Sequence, residues 1–156
     1  MTGYFDSSVL VAVYVTEEFS SRVRREVRAA GQVPFTPLHE LEVRNALRVA
    51  HGRGRLDAGE LARCLDQLTD DLEGSRLARI AVDLFHVFDR AQELSKIHAA
   101  KLLSRSLDLL HVAGALDLRC KRFVSGDDRQ LALAKAVGLE PVDVKKRKGA
   151  PAGSAT

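Results

Sequence analysis

Residues 4–13 read YFDSSVLVAV and place an aspartate between two aromatic residues and a long apolar run. The aromatic pair predicts a very short buried strand, and a helical pattern begins at Ser7. Asp6 would then lie at the carboxyl end of the strand, the edge at which open α/β sheets bind their ligands. Aspartate is also a preferred N-cap residue, so capping of the following helix is a sufficient explanation for Asp6 taken alone.

The composition is that of one ordinary globular domain with an aliphatic core. The chain has 156 residues, of which 46% are hydrophobic and 5% aromatic, and a formal net charge of +3. This mild charge permits a nucleic-acid partner without arguing for one. Cys64 and Cys120 match no metal-binding spacing, and we expect reduced core thiols in a cytoplasmic protein. No apolar run is long enough to cross a membrane.

Outward from residues 4–13, strand-like runs alternate with helical patterns. This alternation predicts βαβ units and a parallel sheet covered by helices on both faces. We expect one domain over residues 1–144 and a basic, disordered tail over residues 145–156. The predicted strands are 3–5, 32–36, 121–125 and 139–144, and the predicted helices are 7–15, 20–30, 37–51, 57–72, 82–103, 107–118 and 129–137.

A second acid stands out in the segment TPLHELEVRNALRVAHG, residues 36–52. On a helical wheel Glu42 falls within an apolar face, with Asn45 one turn on, whereas Glu40 points roughly opposite. An acid on a buried face needs a partner or a metal ion. A salt bridge to a neighbouring arginine explains Glu42 as well as a functional role does.

A third acid lies in the first turn of the helix predicted from SRSLDLLHVAGALDLR, residues 104–119. Asp108 would interact favourably with the helix dipole there, yet its neighbours on the wheel are apolar. His111, one turn later, could be a ligand, but a packed histidine that supports a ligand is the commoner case and the one we favour.

A fourth acidic position follows the strand pattern KRFVSG, residues 121–126. Asp127 and Asp128 could each cap the next helix, and Ser125 lies at the same strand end. In a parallel sheet this strand end and that of Asp6 meet at one edge. Carboxylates that converge there would repel and raise one another's pKa unless they shared a cation. Oxygen ligands suit Mg²⁺ or Mn²⁺, which serve phosphoryl chemistry.

Four segments resemble, in order and spacing, the acidic motifs of PIN-domain nucleases, especially VapC-type toxins of toxin–antitoxin systems. They are YFDSSVLVAVYV (4–15), PLHELEVRNAL (37–47), SLDLLHVAGAL (106–116) and RFVSGDDRQLALAKAVGLEPVDV (122–144). The resemblance implies a PIN-like three-layer α/β/α sandwich with a short central parallel sheet. It also implies a cytoplasmic endoribonuclease that depends on Mg²⁺ or Mn²⁺, forms a homodimer and is silenced by an antitoxin whose C-terminal segment lies across the active-site groove.

Carried over by position, the resemblance implies that four acids coordinate the metal and catalyse cleavage: Asp6, Glu42, Asp108 and Asp127. Ser7 and Ser125 would support these ligands, with Asn45 and Asp128 as further supporting residues. Asp127 is preferred to Asp128 as the fourth ligand because it follows Ser125 at the spacing of the family.

Two other functions stay open at this stage. One is a phosphatase or phosphotransferase that uses Asp6 as its nucleophile. The haloacid-dehalogenase-like version would usually carry a second aspartate two residues on, where this chain has Ser8. A catalytically silent domain that binds RNA or a protein is the other alternative, and the presence of all four acids counts against it.

Overall fold

A computed structural model describes residues 3–146. The predicted disordered tail, residues 145–156, lies outside this range except for its first two residues. The strands are β1 Gly3–Phe5, β2 Val33–Phe35, β3 Leu77–Arg79, β4 Arg122–Ser125 and β5 Glu140–Asp143. The helices are α1 Ser7–Tyr14, α2 Ser20–Ala30, α3 Pro37–Gly52, α4 Ala58–Glu73, α5 Leu84–Leu94, α6 Ala100–Leu102, α7 Ser106–Asp117 and α8 Asp128–Ala136, with a π-helical turn at Ser95–Ala99.

All strand pairings are parallel, as predicted. β4 pairs with both β1 and β5, and a second ladder joins β2 to β3. β2 lies beside β1. At this seam the imidazole Nε2 of His39 lies 2.8 Å from the carbonyl oxygen of Phe5. His39 thereby satisfies a buried backbone group where the two ladders meet.

Helices cover both faces of the sheet. One core forms between α1–α4 and the face that carries Phe5 and Val124. The other forms between α5, α7, α8 and the face that carries Tyr4 and Phe123. Successive strand residues point to opposite faces, so Tyr4 and Phe5 belong to different cores. The predicted three-layer sandwich with a short parallel sheet is confirmed.

The structure differs from the predicted elements in two places. β3 was missed because its three residues contain only one fully buried side chain, that of Leu77. The helix predicted over residues 82–103 begins at Leu84, after its cap Asp83, and the π-helical turn separates α5 from α6. The other predicted helices agree with the observed ones to within one residue at each end. Within residues 3–146, none of the helices has the length and apolar character needed to cross a bilayer.

Candidate functional site

The four predicted acids face one cleft of about 470 Å³ at the carboxyl ends of β1 and β4. Each arrives from a different segment: Asp6 from the end of β1, Glu42 from α3, Asp108 from the first turn of α7 and Asp127 from the start of α8. Three further polar side chains of the lining connect them, namely Arg105, His111 and Gln130.

Asp6 is buried where β1 gives way to α1. It occupies the N-cap position, yet its carboxylate makes no capping hydrogen bond to the helix. Instead Oδ2 accepts a hydrogen bond from the hydroxyl of Ser8, and Oδ1 accepts one from the amide Nε2 of Gln130 at 3.3 Å. Helix capping therefore does not explain this carboxylate.

Asp127, in contrast, is a genuine cap. Its Oδ1 accepts hydrogen bonds from the backbone N–H groups of Arg129 at 2.8 Å and Gln130 at 3.4 Å. Its Oδ2 lies 3.2 Å from Nη2 of Arg105, on the cleft side. Asp128 is exposed and outside the lining of the cleft. Of the two neighbours, it is Asp127 that faces the other acids.

Asp108 is only 1% exposed. Its Oδ2 accepts hydrogen bonds from the backbone N–H of Arg105 at 2.8 Å and from the guanidinium Nε at 3.2 Å. Its Oδ1 accepts one from Nε2 of Gln130 at 3.1 Å. Burial alone would raise the pKa of Asp108, but these hydrogen bonds outweigh it and lower the pKa below its usual value. The fold therefore stabilises the ionised carboxylate.

The predicted phase of the Glu42 helix was wrong. The side chains that α3 buries are His39, Val43, Leu47 and Ala50. Leu41 and Val49, which the wheel placed beside Glu42 on the apolar face, are 69% and 39% exposed. The hydrophobic pattern alone could not reveal which face of α3 is buried, because the helix carries apolar residues on both sides. In addition, one position of the buried face is occupied by His39 rather than by an apolar residue.

Glu42 instead flanks the buried stripe of α3 and reaches the cleft from the side. Its Oε2 lies 2.6 Å from Nε2 of His111 and 2.8 Å from the hydroxyl of Ser7. Burial would raise the pKa of Glu42, but the bonds from His111 and Ser7 outweigh it and lower the pKa. Glu40 flanks the stripe on the opposite side and pairs with Arg44 and Arg79.

The predicted supporting residues differ in their placement. Ser7 contacts Glu42. Ser125 is buried beneath the cleft. Its hydroxyl accepts a hydrogen bond from the backbone N–H of Asp127 and donates one to Oε1 of Gln130, both at 3.0 Å. Asn45 is exposed and outside the lining, so the structure does not connect it with the site.

Two residues of the site were missed by sequence reasoning. Gln130 bridges Asp6 and Asp108 through its amide nitrogen, and Arg105 bridges Asp108 and Asp127 through its guanidinium. Gln130 lies three residues after the acid that caps α8, and Arg105 lies three residues before Asp108. These spacings place Gln130 in the first turn of α8 and Arg105 at the N-cap of α7, which was the available signal.

Hydrogen-bond donors therefore stabilise the negative charges of Glu42 and Asp108 in the cleft. The expected mutual increase in carboxylate pKa is wrong for Glu42 and Asp108, because hydrogen-bond donors lie between the acids. Across residues 3–146, no three His, Cys, Asp or Glu side chains are gathered as a ready-made metal centre. The donor set still fits a hard divalent cation, since four carboxylates face one solvent-accessible cleft.

The PIN domain family model matches residues 3–136. The chain belongs to the PIN domain family. This PIN domain is similar to ribonuclease VapC46 of Mycobacterium tuberculosis, with 33% identity over 141 residues that cover 87% of this chain and 92% of that protein. Similarity of this extent places it among the VapC-type members.

The FitAcB crystal structure from Neisseria gonorrhoeae has the same fold as this PIN domain. The two superpose with a TM-score of 0.58 at 12% sequence identity, over 92% of this chain and 98% of that one. The family predicted from the four acidic motifs is thus confirmed, whereas the metal-binding role of each acid stays a prediction.

Proposed function

We propose that this PIN domain is an endoribonuclease toxin of a toxin–antitoxin module and that it hydrolyses RNA with the help of Mg²⁺ or Mn²⁺. The observation that carries the proposal is the single cleft faced by Asp6, Glu42, Asp108 and Asp127. The similarity to ribonuclease VapC46 supports RNA as the substrate and the cytoplasm as the place of action.

In the proposed reaction, the four acids would hold the metal ion, which when bound supplies charge neutralisation at the phosphodiester and a more acidic water. Asp6 and Asp108 form the buried floor of the site, where Gln130 fixes one oxygen of each. Glu42 contributes a carboxylate from the flank of α3 that His111 and Ser7 keep ionised. Arg105, with a side chain 59% exposed at the mouth of the cleft, is suited to contact a phosphate of the RNA.

The test of this site compares two glutamates on one helix. We expect Glu42→Gln to reduce cleavage of a structured RNA at least about tenfold, because it removes a charge from the cleft. Glu40→Gln is the matched control, since its surface ion pairs are worth at most about 1 kcal/mol of stability and face away from the cleft. Initial rates in Mn²⁺ and in excess chelator measure both effects.

The reverse ranking of Glu42→Gln and Glu40→Gln would contradict the site. Cleavage by wild type that continues unchanged in chelator would contradict the metal dependence. Failure to cut any of a set of tRNAs, ribosomal RNAs and hairpins with Mn²⁺ present would contradict the nuclease activity itself.

A protein partner follows from the proposed toxin role, and we propose a cognate antitoxin and a homodimer. Exposed apolar side chains support a protein partner, because contiguous exposed apolar surface commonly marks an interface. They include Leu41 on α3 and Leu84, Phe85 and Phe88 on α5, which are 69%, 48%, 87% and 52% exposed.

We expect the protein expressed with its native neighbouring genes to co-purify with a small second protein, and the protein expressed alone to inhibit growth. Asp108→Asn expressed alone is the control and should not inhibit growth, because cleavage is lost. Pull-down followed by mass spectrometry, with growth curves, measures both. Harmless wild-type expression combined with no recovered partner would contradict the toxin role.

A further inference from the structure

His111 is a fully buried imidazole between a phenol and a carboxylate. It lies on α7 one turn after Asp108 and is 1% exposed. Its Nε2 lies 2.6 Å from Oε2 of Glu42 and 3.7 Å from Oδ1 of Asp6. On the other side of the ring, Nδ1 lies 3.0 Å from the hydroxyl oxygen of Tyr4. The ring therefore connects the core of the sheet with the acids of the cleft.

The direction of each hydrogen bond follows from its partners. An ionised carboxylate can only accept, so Nε2 of His111 must donate to Glu42. The buried Tyr4 phenol carries an O–H group and lies 3.0 Å from Nδ1, so it can donate to that nitrogen. With the ring proton on Nε2, the imidazole satisfies both contacts, and Tyr4 thereby favours the tautomer that donates to Glu42.

The chain makes room for this arrangement at Gly114, within the second half of α7. A Cβ atom at Gly114 would lie 3.3 Å from the hydroxyl oxygen of Tyr4, which is tighter than an ordinary contact. Glycine in the middle of a helix costs roughly 0.5–1 kcal/mol relative to alanine. The close approach of the Tyr4 phenol to α7 gives a physical reason for a glycine at this position.

Glu42 depends on these contacts for its orientation. It lies on the flank of α3, half-buried, and its side chain is free to adopt several rotamers unless something holds it. Both of its bonds, from His111 and from Ser7, go to Oε2. Oε1 makes none within the part of the chain that the structure describes, which leaves it available to a ligand in the cleft.

We propose that His111 is a positioning residue that holds the carboxylate of Glu42 toward the cleft, in a tautomer set by Tyr4. The proposal rests on the proposed function, in which Glu42 is one of the metal ligands. Groups that orient a metal ligand typically change metal affinity by about 10- to 100-fold. Metal affinity of the free protein should therefore report on His111 without any RNA.

Two substitutions at residue 111 separate orientation from packing. His111→Gln keeps an N–H donor near the position of Nε2 and can still reach Glu42. His111→Asn is shorter, so its amide stays near the position of Nδ1 and cannot reach Glu42. Both introduce a neutral amide into the same buried space. Tyr4→Phe removes only the hydroxyl that selects the tautomer.

The experiment measures Mn²⁺ binding to the full chain by electron paramagnetic resonance, together with melting temperatures in chelator. We expect His111→Asn to weaken Mn²⁺ binding about 10- to 100-fold and His111→Gln to bind Mn²⁺ nearly as tightly as wild type. Tyr4→Phe should weaken Mn²⁺ binding about fivefold, which corresponds to the loss of one ordinary hydrogen bond. In a Glu42→Gln background, His111→Asn should add nothing, because a residue that acts through Glu42 has no further effect once that carboxylate is gone.

Wild-type affinity in His111→Asn, or the same loss in the Glu42→Gln background as without it, would overturn the proposal. If His111→Asn does not fold, the conservative Tyr4→Phe decides, and unchanged Mn²⁺ affinity there overturns it. Asp108→Asn separates this failure from that of the proposed function. If wild type binds Mn²⁺ and Asp108→Asn does not, the metal site stands whatever His111 does; if wild type binds no Mn²⁺, the metal-dependent function and the role of His111 are both wrong.

Discussion

Replacing Asp108 by asparagine is expected to reduce RNA cleavage by more than about a hundredfold, because even groups that only orient a metal ligand are worth about 10- to 100-fold. Asp6→Asn is expected to have the same effect. Both carboxylates form the buried floor of the cleft, and each shares the Gln130 amide, so neither can be replaced by a neighbouring acid.

The control for Asp108→Asn is Asp117→Asn. Asp117 lies at the far end of α7 and pairs with the exposed His86 at 3.2 Å, away from the cleft. Its replacement should leave the initial rate close to that of wild type. In chelator, wild type should fall to the level of Asp108→Asn. Wild-type rates in both cleft variants would show that these acids do not take part in catalysis.

The Asp108→Asn substitution should also change the stability of the fold. Because the hydrogen bonds from Arg105 and Gln130 lower the pKa of Asp108, its ionised form contributes stability above the pKa of the unfolded carboxyl. This stability is lost as the pH falls through the lowered pKa of the folded Asp108 carboxyl. At neutral pH in chelator, Asp108→Asn should therefore melt below wild type. A higher melting temperature would mean that repulsion among the acids outweighs their hydrogen bonds.

The stability of the whole domain is expected to fall as pH decreases from 6.5, with His39 as the main cause. Burial and the neighbouring His111 lower the pKa of His39 to about 3. Its Nδ1 accepts the backbone N–H of Thr36 at 3.0 Å, and Nε2 donates to the carbonyl oxygen of Phe5 at 2.8 Å. Both ring nitrogens of folded His39 are therefore engaged, and a second proton on Nδ1 would break the hydrogen bond from Thr36.

The sign follows from proton binding. An unfolded histidine takes up its proton near pH 6.5, while folded His39 stays neutral down to about pH 3. Between these values the unfolded state binds more protons, so stability rises with pH by about 1.4 kcal/mol per unit. The contribution is complete above about pH 6.5. From pH 7 to pH 5 we expect a loss of about 2 kcal/mol in the free energy of unfolding.

Urea denaturation at a series of pH values measures this slope. His39→Gln should be less stable than wild type at pH 7 but should show a flatter dependence between pH 5 and 6.5. His98→Gln, on the π-helical turn, is the control and should keep the wild-type slope. If His39→Gln does not fold, the imidazole resonances of wild type decide, because titration of His39 near pH 6.5 would contradict the prediction.

Much of the fold was predictable from the sequence because its signals are local. The alternation of short apolar runs with amphipathic segments fixed the order of β1, β2, β4 and β5 and of most helices. A cap marked the start of α8, since Asp127 accepts hydrogen bonds from the first turn of that helix. The long segment 82–103 was harder, because a π-helical turn changes the helical period without a local signal.

The sequence by itself determined which acids exist, their order, and that three of them lie at the starts of helices. Only the tertiary structure decided what each carboxylate faces. The stripe that α3 buries depends on His39 reaching the carbonyl of Phe5, so Glu42 lies on a flank rather than on an apolar face. Likewise Arg105 and Gln130 lower the charge repulsion of the site only because the carboxyl end of β1 lies beside the starts of α7 and α8. Side-chain hydrogen bonds between distant segments depend on which segments pack together, and no local periodicity encodes that.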